Sequence, residues 1–151
     1  MRSFTGHIVL LLLAAAPVLA EPFTIDIAAA RTRLVTRRDV ALYCRSAKDI
    51  EGCTEFLGET LACACARSGS GWSLTAQAQL VPFVYVTRPS LTAHELLHMD
   101  DLRAQLTVYL GELTSKRYDD VTSCRAAAEF EAAVFPLRMD LFRQISNERL
   151  H

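Results

Sequence analysis

The tightest constraint on the fold is a helical period between residues 94 and 113. At 100° per residue, Met99, Leu102, Leu106, Tyr109, Leu110 and Leu113 share one apolar stripe. A stripe of this kind faces a core. Glu95 lies in line with Leu102, Leu106 and Leu113. An anion there is costly unless it is paired, or placed by a metal or water. His94, His98, Asp101 and Gln105 form a neighbouring polar stripe at i, i+4, i+7 and i+11.

Those stripes contain the run His94-Glu95-Leu96-Leu97-His98. Two imidazoles one helical turn apart can hold one tetrahedral zinc ion. A glutamate directly after the first of them can take a proton from a water that the metal polarises. Glu95 also has a competing structural job. It stands three residues after Thr92, the spacing of a capping box at the start of this helix.

Residues 1–20 read as a leader rather than part of the fold. Arg2 is a short basic start, Ile8 to Leu13 begin an apolar stretch, and Val18-Leu19-Ala20 is a small-residue cleavage signal. The expected organisation is a signal peptide at 1–20 and one domain at 21–151. The formal net charge is −1, and losing Arg2 makes it one unit more negative. No basic patch with interleaved aromatics is present, so no nucleic-acid partner is expected. No membrane association is expected once the leader is removed. Removal of His7 leaves His94, His98 and His151.

Export implies a periplasmic or secreted protein in an oxidising compartment, where the five cysteines can form disulfides. Cys63 and Cys65 sit at i and i+2 of a strand and face the same way, so a bridge between them would be strained. The expected pairs are Cys44 with Cys53, and Cys63 or Cys65 with Cys124. The odd thiol leaves room for a disulfide-linked dimer.

Along the chain, residues 23–27 alternate as a first strand, and 28–43 carry a weak helical period. Residues 45–58 are polar and glycine-interrupted, a loop or short helix. A strand follows at 59–67, with Leu61, Cys63 and Cys65 on one face. Ser68-Gly69-Ser70-Gly71 is a hairpin turn. The returning strand alternates from Trp72 and passes through Pro82, which suggests an edge strand or a bulge. Residues 83–87 would then be an edge able to accept an extended peptide. The motif helix runs to about Leu113, and 114–123 form a polar loop. A last helix begins at Cys124, with Phe130, Val134, Leu137, Leu141 and Ile145 as its apolar stripe and a kink or restart at Pro136. The expected fold class is α+β: a small antiparallel sheet followed by a helical hairpin carrying the His-Glu-x-x-His motif.

On that motif, after a strand, the chain resembles the zincin metallopeptidases. More loosely it is similar to small bacterial secreted zinc-dependent peptidases. The likeness covers residues 72–151, and only the five-residue motif is specific. It implies that His94 and His98 are zinc ligands, and that Glu95 is the general base and later the proton donor. Asp101 and Ala104 stand where the metzincin extension would have a glycine and a ligand, which excludes that subclass.

The third ligand stays open. His151 ranks first for its ligand chemistry. Glu148 follows, because Asn147-Glu148 looks like the Asn-Glu pair of a gluzincin. Asp140 comes third, placed opposite the motif by a hairpin folded near residue 119 or 120. Glu129 falls too far along that hairpin. Asp101 is a candidate for orienting a ligand imidazole. Tyr109 and Tyr118 are candidate donors to a tetrahedral intermediate.

Two functions follow. One is an exported peptidase that hydrolyses peptide bonds of a peptide or protein substrate, with zinc as cofactor. The alternative is a disulfide-stapled exported binding or structural module, in which the motif is unmetallated or holds a structural metal.

Overall fold

The computed structural model describes residues 21–44 and 51–150. Residues 1–20, expected to be a leader, lie outside the described residues, as do 45–50 and His151. Four strands, β1 (Phe23–Ile27), β2 (Arg31–Leu34), β3 (Gly52–Ser68) and β4 (Gly71–Val86), form one sheet. Helix α1 (Arg37–Tyr43) joins β2 to β3. Helices α2 (Thr92–Ser115) and α3 (Val121–Leu150) follow β4.

This corrects the expectation of a small antiparallel sheet followed by a helical hairpin. Strands β1 and β2 both run parallel to β4, in tandem along one of its edges. Strand β3 pairs antiparallel on the other edge, joined to β4 through the turn at Gly69, where φ is +62°. Alternation identifies a strand but not its partner or direction, and α1 is what carries the chain across β4 from one edge to the other. The weak helical period at 28–43 is thus β2 followed by α1.

Pro82 sits within β4, the central strand, and not on an edge. Even-numbered residues of β4 face the β1–β2 side, as the bonds from Ala76 N to Pro22 O, Ala28 N to Leu80 O and Val35 N to Val86 O show. The position without an N–H therefore falls where β1 has ended at Leu80 and β2 has yet to begin at Phe83, so no ladder bond is lost. On the opposite side β3 carries a bulge between Leu57 and Thr60, with Gly58 at φ +71°. The same central position overturns 83–87 as a peptide-accepting edge: Phe83–Val86 are paired with β2 on one side and β3 on the other.

The even-numbered side chains Leu74, Ala76, Ala78, Leu80 and Val84 are buried. Against that face pack Leu102, Leu106, Leu110 and Leu113 of α2 and Phe135 and Met139 of α3. The apolar stripe of α2 is the one its period indicates. Helix α1 covers Phe83 and Tyr85 with Val40 and Tyr43, and Tyr43 stacks on Tyr85 at 4.6 Å. The helices thus lie over the sheet rather than after it.

Both disulfides fall within the expected sets: Cys44–Cys53 and Cys65–Cys124, with Cys63 free. The second bridge draws Cys124 inward. At 100° per residue this carries Ala128, Glu131, Phe135, Met139 and Ser146 to the buried face of α3. The stripe expected to be buried points outward instead, with Phe130 59%, Leu137 70% and Leu141 51% exposed. Helix α3 runs through Pro136, which is solvent-exposed. The connection between α2 and α3 is stitched to the hairpin by paired bonds between Trp72 and Tyr118. Among the described residues, no helix is long and apolar enough to cross a membrane.

Candidate functional site

The motif occupies the first two turns of α2. Pro89–Leu91 form a single 3-10 turn that leads into it. No side chain caps the helix, so the capping box between Thr92 and Glu95 does not form. Glu95 instead points down onto β3 and is 4% exposed. Thr54 Oγ1 donates to the Glu95 carbonyl oxygen at 2.7 Å and lies 3.3 Å from Oε2. The other carboxylate oxygen occupies the space above Gly52. A Cβ at position 52 would stand 2.9 Å from Oε1 and 3.1 Å from the Tyr85 carbonyl oxygen. Glycine at the first residue of β3 is therefore what makes room for the acid. Burial raises the Glu95 carboxyl above its ordinary value, and the His94 charge and the Thr54 hydroxyl offset part of the rise.

His94 and His98 stand on adjacent turns, with ring centroids 5.4 Å apart and planes at 89°. His98 is buried, and its Nδ1 is 2.9 Å from Ser146 Oγ on α3. Asp101 accepts from Gln105 Nε2 at 2.7 Å and from Arg149 Nη1 at 3.0 Å. Burial pushes the Asp101 carboxyl up, but these donors together outweigh it and hold the group below its ordinary value. Thr54, Phe56, Leu102, Arg143 and Asn147 close a void beside His98 of about 10 Å³. That is room for a single water.

The other candidates are placed as follows. Asp140 is ion-paired with Arg143, which also binds Glu55. Glu148 is exposed near the end of α3. His151 lies outside the described residues. Tyr109 is eleven residues beyond His98, roughly 16 Å along the helix. Its hydroxyl donates to buried Glu131 at 2.7 Å, so it is no donor to the motif. Tyr118 is tied to the hairpin end of the sheet.

For zinc, the two imidazoles are the right kind of donor on adjacent turns. Among the described residues, no group of three His, Cys, Asp or Glu side chains gathers to hold a metal. The fit is therefore to two ligands of a set, with the third still to be supplied.

Gly52, Thr54 and Ser146 are the residues that sequence reasoning missed. A glycine opening a strand was the one available signal. Nothing local marks Thr54 or Ser146, which lie 41 and 48 residues from their partners in the motif.

The chain matches no protein-family model, no curated protein and no solved structure.

Proposed function

We propose that the chain is an exported zinc-dependent peptidase, with His94 and His98 as ligands and His151 or Glu148 as the third. The observation that supports this most is the seat of Glu95. A carboxylate next to two paired imidazoles rests in a notch that only glycine leaves open, and its affinity for a proton is raised. Zinc bound at the pair would supply Lewis acidity toward a substrate carbonyl and a water. Glu95 would take the proton of the attacking water on a carboxylate oxygen and pass it to the departing amine. The two disulfides support a periplasmic or secreted location.

Two observations favour the second reading, a disulfide-stapled binding module. The space beside His98 admits a water and not a peptide. Strand 83–86, the expected peptide edge, is also interior.

Metal analysis by mass spectrometry on residues 21–151 separates the two. The peptidase reading expects about one zinc per chain, lost in His94→Ala and in His98→Ala. It also expects loss in either Glu148→Ala or a chain lacking His151. Glu95→Gln should keep zinc and lose peptide hydrolysis. No zinc after dialysis against it makes the module the correct reading, and full hydrolysis by Glu95→Gln removes the role of the acid.

A further inference from the structure

We propose that the face of the sheet turned away from α2 and α3 docks on an anionic phospholipid surface, with the arginines of β2 and α1 against the lipid phosphates and Leu42 at the acyl boundary. Residues 31–38 hold four of the sixteen basic residues and no acid, in a chain whose net charge is −1. The rest of the chain thus carries a net −5, the total less these four. Arg31, Arg33, Arg37 and Arg38 are all exposed, and none is in an ion pair among the described residues. Asp39, the next residue along, is taken up by Thr36, whose hydroxyl donates to it at 2.7 Å. The fold sets this charge on one side. Arg31 and Arg33 are in register with Phe83 and Tyr85, and α1 packs over the same pair. The Arg31 guanidinium lies 5.5 Å from the centre of the Phe83 ring, and that of Arg33 lies 5.2 Å from the Tyr43 ring. On α1, Val40 is 1% exposed and turned to the sheet. Arg38 and Leu42 stand two residues to either side of it, so both point outward, one helical turn apart. Leu42 is 78% exposed. The Cys44–Cys53 bridge ties the end of α1 to β3 and holds the patch in place.

Two features select lipid over nucleic acid. The rings beneath the arginines offer no face to a base, because Tyr43 and Tyr85 stack on each other at 4.6 Å and Tyr85 is 6% exposed. A leucine standing free beside cations has no counterpart on a polyphosphate chain, but it can enter the boundary between lipid headgroups and acyl chains. Arginine suits the headgroups, since its planar fork donates two hydrogen bonds to one phosphate. Docking of this kind lies on a membrane and needs no spanning helix, so it replaces the expectation of no membrane association. The docked chain would hold α2 and its motif on the side away from the bilayer. The inference is independent of the zinc reading.

Co-sedimentation of residues 21–151 with lipid vesicles tests the proposal. The expected result is binding to vesicles of phosphatidylglycerol mixed with phosphatidylcholine, none to phosphatidylcholine alone, and weakening as salt is raised. Arg37→Gln and Arg38→Gln should each weaken binding about fivefold. Arg37→Lys/Arg38→Lys, which keeps the charge, should retain most of it. Leu42→Ser should weaken binding several-fold at every salt concentration, and far-UV circular dichroism should show each variant folded. Equal binding to the two kinds of vesicle overturns the proposal, as does an unchanged affinity in Arg37→Gln/Arg38→Gln. Absence of vesicle binding overturns it too, and capture of a single-stranded oligonucleotide by a chain that vesicles do not hold would assign the face to nucleic acid instead.

Discussion

Gly52 and Glu95 are matched across the interface of β3 and α2: the absent side chain of one is the seat of the other's carboxylate. The 2.9 Å between a Cβ at position 52 and Glu95 Oε1 is closer than such atoms come, and the Tyr85 carbonyl at 3.1 Å blocks the other way out. Gly52→Ala should therefore cost about 1–3 kcal/mol, the range for overpacking an interior. The double variant Gly52→Ala/Glu95→Ala should lose less than the two single costs added together. Urea denaturation of the four proteins measures the coupling; strict additivity would show that the two residues do not share this space.

The acid itself makes the metal-free protein pH-sensitive. Burial raises the Glu95 carboxyl in the folded chain above its ordinary value of 4.5. A group raised on folding contributes stability that is fully present below its unfolded value and lost as pH rises through the folded one. Without metal, the parent should thus lose stability on account of this group as the pH rises above about 4.5. Glu95→Gln should not show that loss. Asp101, held below its ordinary 3.8, acts the other way and only at lower pH, where its contribution is lost as the solution is acidified. Thermal melts of both proteins at pH 4.5 and 7 check the sign, and equal pH slopes would contradict it.

The two disulfides close very different loops. Cys65 and Cys124 are 59 residues apart, Cys44 and Cys53 only 9. The chain-entropy relation gives about 4 kcal/mol for the long loop and about 3 kcal/mol for the short one. Beyond that difference, the long bridge fixes the rotation of α3. Cys65→Ala/Cys124→Ala should accordingly weaken the His98–Ser146 contact and reduce zinc binding, and Cys44→Ala/Cys53→Ala should leave both in place. Chemical denaturation with metal titration distinguishes the pairs; zinc binding unaffected by loss of the long bridge would show that α3 keeps its rotation without it.

Tyr109 serves the interior rather than the motif. Its hydroxyl and the Arg138 guanidinium together satisfy Glu131, which is 6% exposed, and Arg138 lies over the Tyr109 ring at 4.9 Å. Tyr109→Phe removes one donor from a buried carboxylate and should cost about 1–3 kcal/mol. Zinc content should be unchanged, since the ring is three turns from His98. A drop in metal content with no loss of stability would return Tyr109 to the site.

What the sequence determined alone is everything carried by a local period or a local pair. The stripe of α2 from Leu102 to Leu113, the burial of Glu95 in line with it, the hairpin at Gly69 and the Cys44–Cys53 staple all follow from spacing within a few residues. The adjacency of His94 and His98 follows in the same way. The tertiary structure decided the rest, because those matters depend on partners far away in the chain. Strand alternation does not name a neighbour, so β1 and β2 run parallel to β4 and Pro82 lies in the middle of the sheet. Helix α3 carries apolar residues on two faces, and its period could not choose between Leu137 and Phe135. The bridge from Cys124 to Cys65 and the docking on α2 chose, and brought Ser146 to His98. The motif residues are local and were legible; the groups that seat them, Gly52, Thr54 and Ser146, become their neighbours only through folding.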